Sequence, residues 1–223
     1  MIPRELIGTA PVPQGEELRL FRRGGDFMIV LDRNELMSSR MSGSEEALAT
    51  MTCARLAGRT SPHLLIGGYG MGFTLRAALG EIGPDGRVTV AELVPEIIDW
   101  ARGPMRDLTA GCLEDQRVDL HVGDVAALID SARSAYDAIL LDVDNGPDGL
   151  TRHANNQLYS ARGLKAARAA LKPGGILAIW SAGHDKAFAG RLRENGYMVE
   201  EVAVRARSNG KGAKHVIWFA SAS

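Results

Sequence analysis

The stretch His63 to Leu79, HLLIGGYGMGFTLRAAL, restricts the possible folds more than any other part of the chain. Leu64, Leu65 and Ile66 leave no polar face for water, which predicts a short strand buried on both sides in a parallel sheet. Gly67, Gly68, Gly70 and Gly72 then permit a sharp turn and a close approach of backbone to a ligand. Phe73, Leu75, Ala78 and Leu79 recur at helical spacing. A strand that feeds a helix through glycines is where α/β proteins hold nucleotide-like cofactors. The spacing departs from the dinucleotide fingerprint, because the last glycine follows too soon, so a tight turn that binds nothing stays open at this point.

The chain downstream alternates strand and helix patterns. Strands are predicted over 87–91, 118–122, 136–141 and 176–181, with helices over 95–102, 161–171 and 186–195, and two closing strands over 199–204 and 216–220. That order predicts a doubly wound sheet with an antiparallel edge. Upstream, Pro3, Pro11 and Pro13 suggest an irregular arm to about residue 17, then a β-hairpin over 18–31 and a loop or lid over 34–43. Ser44 reads as the N-cap of a helix reaching about Leu56, with Glu45 and Glu46 as first-turn acids rather than groups facing a cationic substrate. The division expected is an arm and hairpin over 1–43 and a Rossmann-like domain over 44–223.

The three predicted strands that follow the glycine turn each end at an acid. Glu92 follows the glycines at the distance of a ribose-binding carboxylate, with an exposed strand-end acid as the alternative. Asp124 after Gly123 can cap a helix and meet an adenine amino group at once. Asp142 opens the run Asp142-Val143-Asp144-Asn145-Gly146, at the carboxyl end of a nearly all-apolar strand. Its two readings are a carboxylate that orients or deprotonates a nucleophile and an Asx-rich turn.

At 223 residues, 45% hydrophobic and 24% charged, the chain has the composition of a soluble globular protein, and no apolar run approaches the ~18 residues of a membrane span. A net charge of −1 and the lack of a basic tract argue against nucleic acid as partner. Arg205 to His215 reads as a solvated hairpin loop. Cys53 and Cys112 have neither zinc nor disulfide spacing, and Asp142, Asp144 and Asn145 on one loop are too weak a donor set to predict a metal. The absence of a signal-peptide pattern leads to a cytoplasmic expectation.

In their order and spacing, the glycine turn, Glu92, Gly123-Asp124, Asp142 and the turn Leu171-Lys172-Pro173-Gly174-Gly175 resemble the class I S-adenosylmethionine-binding fold. Within it they resemble the spermidine synthase (polyamine aminopropyltransferase) family. The resemblance implies an α/β, Rossmann-like doubly wound sheet, the class I SAM-methyltransferase fold, with an antiparallel C-terminal edge and a small N-terminal β-hairpin extension. It implies S-adenosylmethionine, or its decarboxylated form, held by Gly67, Gly68, Tyr69, Gly70, Met71 and Gly72, by Glu92 and Leu93, by Gly123, Asp124 and Val125, and by Asp142. It also suggests a homodimer.

The departures from the family shape the functional expectation. Met71 stands where the family places an aspartate against the amine of decarboxylated S-adenosylmethionine. Its loss removes an attraction for ammonium and a repulsion against the carboxylate of the intact cofactor. Asn145 replaces the family's second loop acid, and Ser44-Glu45-Glu46 keeps only the last residue of a Y-H-E segment. The main expectation is therefore a SAM-dependent methyltransferase acting on a small-molecule acceptor, with Asp142, Asp144 and Asn145 as catalytic candidates. The alternatives are aminopropyl transfer to a diamine and a non-catalytic SAM-binding protein.

Overall fold

The computed structural model describes residues 3–12, 17–143 and 155–222. Asp144 and Asn145 lie outside the described residues. The first half of the chain contains β1 (Glu5–Pro11), β2 (Glu17–Arg23), β3 (Asp26–Leu31), β4 (Asn34–Ser38), α1 (Gly43–Arg55), β5 (His63–Gly67), α2 (Phe73–Glu81), β6 (Arg87–Glu92) and α3 (Pro95–Arg102). After them come β7 (Val118–Val122), α4 (Val125–Ser131), β8 (Tyr136–Leu141), α5 (Asn155–Leu158), α6 (Ala161–Ala170), β9 (Leu171–Ser181), α7 (Lys186–Glu194), β10 (Tyr197–Arg205) and β11 (Lys214–Ala222).

The large sheet has seven strands in the order β10-β11-β9-β8-β5-β6-β7. β5 pairs in parallel with β6 on one side and with β8 on the other, so the winding direction reverses between β5 and β8. This switch point opens a crevice at the carboxyl ends of both strands. Burial on two faces explains the apolar runs: β5 sends Leu64 and Ile66 into one core and Leu65 into the other, and β8 divides Ala138 and Leu140 from Ile139 and Leu141 in the same way. β11 lies antiparallel between β9 and β10, which gives the expected antiparallel edge.

Asp137 interrupts the apolar run of β8 at the end of the sheet away from the crevice. Its carboxylate pairs with Arg59 and Lys172 and accepts the His63 backbone N–H at 2.7 Å, tying β5, β8 and the start of β9 together. β9 begins at Leu171 rather than at Ile176, because Leu171 already pairs with Tyr136 before the register shifts across the Lys172–Gly175 turn.

The N-terminal region keeps the predicted hairpin, as β2 and β3, and departs from the predicted arm and lid. Residues 5–11 and 34–38 are strands, and with β2 and β3 they form a four-stranded antiparallel sheet in the order β1-β2-β3-β4. β1 tolerates Pro11 because it is an edge strand and Pro11 is its last residue. Gly8 is required by packing: a Cβ there would lie 2.7 Å from the indole nitrogen of Trp100 on α3. The inner face of this sheet, including Leu18, Leu20, Ile29 and Leu31, joins the main core and roofs the crevice.

Candidate active site

A cavity of about 310 Å³ occupies the crevice. Its floor is the glycine turn, the ends of β6 and β8, and the turn after β7. Its roof comes from β2, β3 and β4, and its far wall from Glu45, Trp180 and His215.

The turn is held by left-handed backbone and by Glu92. Gly68 has φ +87°, and a Cβ there would fall on the carbonyl oxygen of Asp142, so only glycine lets β5 and β8 diverge this closely. A Cβ at Gly70 would lie 2.6 Å from the methyl of Met37, which shows how tightly β4 covers the turn. Glu92 Oε2 accepts the backbone N–H groups of Tyr69 at 2.9 Å and Gly70 at 3.4 Å, and Oε1 accepts Val94 N–H at 2.9 Å. Burial pushes the Glu92 carboxyl up, against the downward pull of these donors.

Of the residues expected to hold a cofactor, Gly68, Gly70, Glu92, Leu93, Gly123, Asp124, Val125 and Asp142 line the cavity. Gly67, Tyr69, Met71 and Gly72 are not among its lining residues. Tyr69 turns inward and its hydroxyl lies 3.4 Å from Thr109 Oγ1. Met71 is 1% exposed and packs in the main core, because the residue between Gly70 and Gly72 points down onto the sheet rather than up into the crevice. Asp124 caps α4 through Ala126 N–H at 2.8 Å while facing the cavity.

Asp142 sits at the tip of β8, where Thr74 Oγ1 donates to its Oδ2 at 2.8 Å. Burial raises its pKa to about 6. Beside it is Glu45, 7% exposed and pushed up to about 8, first by burial and then by the charge of Asp142. Ser44 does not cap α1. The helix begins at Gly43, whose N–H is held by Ala206 C=O of the C-terminal hairpin, so Ser44 lies inside the first turn and donates its Oγ–H to Glu45 Oε2 at 2.6 Å. Glu46 is turned the other way and pairs with Arg76.

Sequence reasoning passed over Glu45, His215, Trp180 and Ser38 as parts of one site. For Glu45 a signal existed: Leu48, Ala49 and Thr52, three, four and seven residues further on, are the buried face of α1, so Glu45 shares that face. His215 was hidden in a basic loop, and no local pattern brings it to Ser44. Ser38 Oγ and Trp180 Nε1, both on cavity-lining residues, are buried with no hydrogen-bond partner among the described residues. Five acids, Glu35, Glu45, Glu92, Asp124 and Asp142, line the cavity, and no lysine or arginine does so among the described residues.

The raised carboxyl of Glu45 makes a prediction about stability. Between its ordinary pKa of 4.5 and its folded value of about 8, the native protein holds a proton that the unfolded chain has released. This contribution to stability is therefore greatest below pH 4.5 and declines as pH rises through about 8. Glu45→Gln is expected to flatten that decline and to gain on the order of a few kcal/mol over the parent at the alkaline end. Urea unfolding at acidic and alkaline pH checks it, and equal slopes for parent and variant would contradict it.

The comparisons with known proteins agree with this architecture. The family model described as the spermine/spermidine synthase domain matches residues 52–204, more than half of the chain. The chain belongs to that family. Curated relatives include a polyamine aminopropyltransferase of Nitrosomonas europaea, 38% identical over 93 residues covering 42% of this chain and 27% of the relative. Another, from Korarchaeum cryptofilum, is 31% identical over 120 residues covering 54% and 35%. The chain thus spans about a third of the length of the curated relatives it matches. Among solved structures, spermidine synthase from Thermotoga maritima superposes with a TM-score of 0.77 at 17% identity over 98% of this chain and 72% of that one. A spermidine synthase bound to the transition-state analogue AdoDATO gives 0.73 with the same coverage. At these identities the structures establish the fold, which is the expected Rossmann-like one. No helix among the described residues is long and apolar enough to cross a membrane.

Proposed function

We propose that this chain transfers an aminopropyl group from decarboxylated S-adenosylmethionine to an amine. The observation that carries the reading is that five acids and no lysine or arginine stand among the described residues that line the cavity at the switch point. A ligand with a sulfonium and an ammonium, and an acceptor that arrives as an ammonium, both fit a site whose described lining holds five acids and no lysine or arginine.

This corrects the methyltransferase expectation, which the family relationships do not favour. That expectation rested on Met71 together with Asn145 and the Ser44-Glu45-Glu46 segment, and Met71 is in the core and outside the cavity lining. A carboxyl group enters instead from α1 as Glu45, beside Asp142; burial and the Asp142 charge hold a proton on it, and an ammonium bound against it favours the ionised form. An ammonium about 4 Å from a carboxylate gains roughly 4 kcal/mol at an effective dielectric of about 20, and the α-carboxylate of intact S-adenosylmethionine loses a comparable amount. Even a third of that after desolvation is about tenfold in affinity.

The residues divide the work as follows. Glu92 keeps the glycine turn in shape and, with Asp124, presents acceptors toward the nucleoside. The sulfonium of the donor supplies an electrophilic propyl carbon, so the protein's task is to align the amine and remove one of its protons. Asp142, its Oδ2 fixed by Thr74, holds the acceptor nitrogen at the end of β8. Leu18, Ile29, Leu31 and Met37 exclude water from the reacting centre. Asp144 and Asn145, which follow Asp142 in the sequence, remain candidates.

Calorimetric titration with both donors tests the reading. The decarboxylated form is expected to bind at least about tenfold more tightly, and turnover with a primary amine should release methylthioadenosine. Tighter binding of intact S-adenosylmethionine, with S-adenosylhomocysteine as the product, would return the assignment to methyl transfer.

A further inference from the structure

An acceptor amine that enters as an ammonium has to lose a proton before its lone pair can attack, and that proton needs a way out of a roofed, largely apolar cavity. Among the described residues, the side-chain contact that Asp142 makes is with Thr74, which takes one oxygen and leads no further. Glu45 stands at the head of a hydrogen-bonded line. Ser44 Oγ lies 2.6 Å from Glu45 Oε2, and His215 Nδ1 lies 2.9 Å from Ser44 Oγ.

Ser44 is fully buried, and its hydroxyl has one hydrogen and two lone pairs. The line therefore has two self-consistent patterns. With Glu45 ionised, Ser44 donates to the carboxylate and His215 Nδ1–H can donate to Ser44. With Glu45 protonated, the acid donates to Ser44 and the hydroxyl donates to a bare Nδ1. The His215 ring is half-buried on β11, lines the cavity, and is held edge-on by Trp180 with centroids 4.7 Å apart. The charged groups around Glu45 are Asp142 at the end of β8 and Glu46 on its own helix, the latter paired with Arg76 of α2.

Building on the aminopropyl-transfer reading, we propose that Glu45, Ser44 and His215 are the proton exit of this site. Glu45 takes one proton from the acceptor ammonium and becomes a carboxylic acid. That acid gives its proton to Ser44 Oγ as the Ser44 hydrogen moves to His215 Nδ1, and the imidazolium so formed releases one proton to water. The freed amine lone pair forms the new N–C bond while the C–S pair returns to sulfur, which neutralises the sulfonium. Water that refills the cavity between turnovers resets the imidazole tautomer. Glu45 touches the acceptor, whereas Ser44 and His215 act through it. Burial and the neighbouring Asp142 charge favour a proton on Glu45 in the empty site, and burial favours a neutral His215 ring; an ammonium bound beside Glu45 favours the carboxylate, so the resident proton leaves along the line first and Glu45 is then free to take the proton of the amine.

The test compares the parent with Ser44→Ala, Ser44→Thr and His215→Asn, using decarboxylated S-adenosylmethionine and 1,4-diaminobutane from about pH 6 to about pH 9. Ser44→Ala and His215→Asn are expected to lose about tenfold or more in kcat near neutrality. KM for the amine should stay within roughly threefold, and the deficit should shrink as pH rises and more amine arrives neutral. Ser44→Thr keeps the hydroxyl and should restore the rate. His215→Asn keeps a hydrogen-bonding group near Ser44 but cannot take up and release a proton, so it remains informative if the alanine variant folds poorly. Parent-like kcat in His215→Asn, or a loss that is uniform across the pH range, overturns the exit while leaving aminopropyl transfer standing. A parent enzyme that releases no methylthioadenosine overturns both.

Discussion

Asp142→Asn is expected to lower kcat by about 10²- to 10⁴-fold, the range of a positioned acid–base group, with a much smaller change in donor affinity. Asparagine matches the shape of the carboxylate and can still accept the Thr74 hydroxyl bond seen at 2.8 Å, so the tip of β8 should keep its geometry. What is lost is the charge that docks the acceptor ammonium. The same substitution removes the like charge that helps to hold the Glu45 proton in place, so the acidic limb of the pH–rate profile, where Glu45 has to ionise before it can take the amine's proton, is expected to move toward lower pH. Rapid-quench measurement of methylthioadenosine formation, with circular dichroism to verify folding, checks both effects. A variant within about threefold of the parent would remove Asp142 from the proposed chemistry.

Asp137→Ala is expected to destabilise the protein by about 3–5 kcal/mol, the cost of breaking a buried ion pair from one side. The side chain is 4% exposed, and its loss leaves Arg59, Lys172 and the His63 N–H without their shared acceptor. Burial pushes the Asp137 carboxyl upward, but the His63 and Lys172 hydrogen bonds and the Lys172 charge outweigh it, so the net pKa lies below the ordinary value. This contribution to stability is therefore present above the unfolded pKa of about 3.9 and is lost as pH falls through the lower folded value. Asp137→Asn should weaken that acid dependence. Urea denaturation at neutral and acidic pH measures both variants. A loss below about 1 kcal/mol for Asp137→Ala would mean that the three donors find water instead.

The parallel part of the sheet was legible because its strands are buried on both faces and so have to be written as apolar runs. Leu64-Leu65-Ile66 and Ala138 to Leu141 could hardly have been anything else. The glycine turn was legible for a related reason, since left-handed backbone and close approach to Asp142 exclude side chains. β1 and β4 were not legible. Edge strands covered on one side need no continuous apolar run, and Pro3, Pro11 and Gly8 read locally as irregular chain although only one of them, Gly8, is dictated by a distant partner, Trp100.

The site divides along the same line. Glu92, Asp124 and Asp142 stand at strand ends, and a strand end in a parallel α/β sheet is a position that sequence order alone predicts. Met71 and Glu45 show where that reasoning stops. One residue between two glycines can point up or down, and the backbone sends Met71 into the core. A first-turn glutamate usually faces water, but α1 is anchored at Gly43 by the C-terminal hairpin, and this rotates Glu45 onto the buried face beside Asp142. The sequence by itself determined the sheet, its switch point and the acids that rim it, because burial and backbone geometry act on neighbouring residues. Only the tertiary structure decided the sign and shape of the cavity, because the carboxylate from α1, His215 from β11 and the apolar roof from β2 to β4 converge there from far apart in the chain, and no local preference records that meeting.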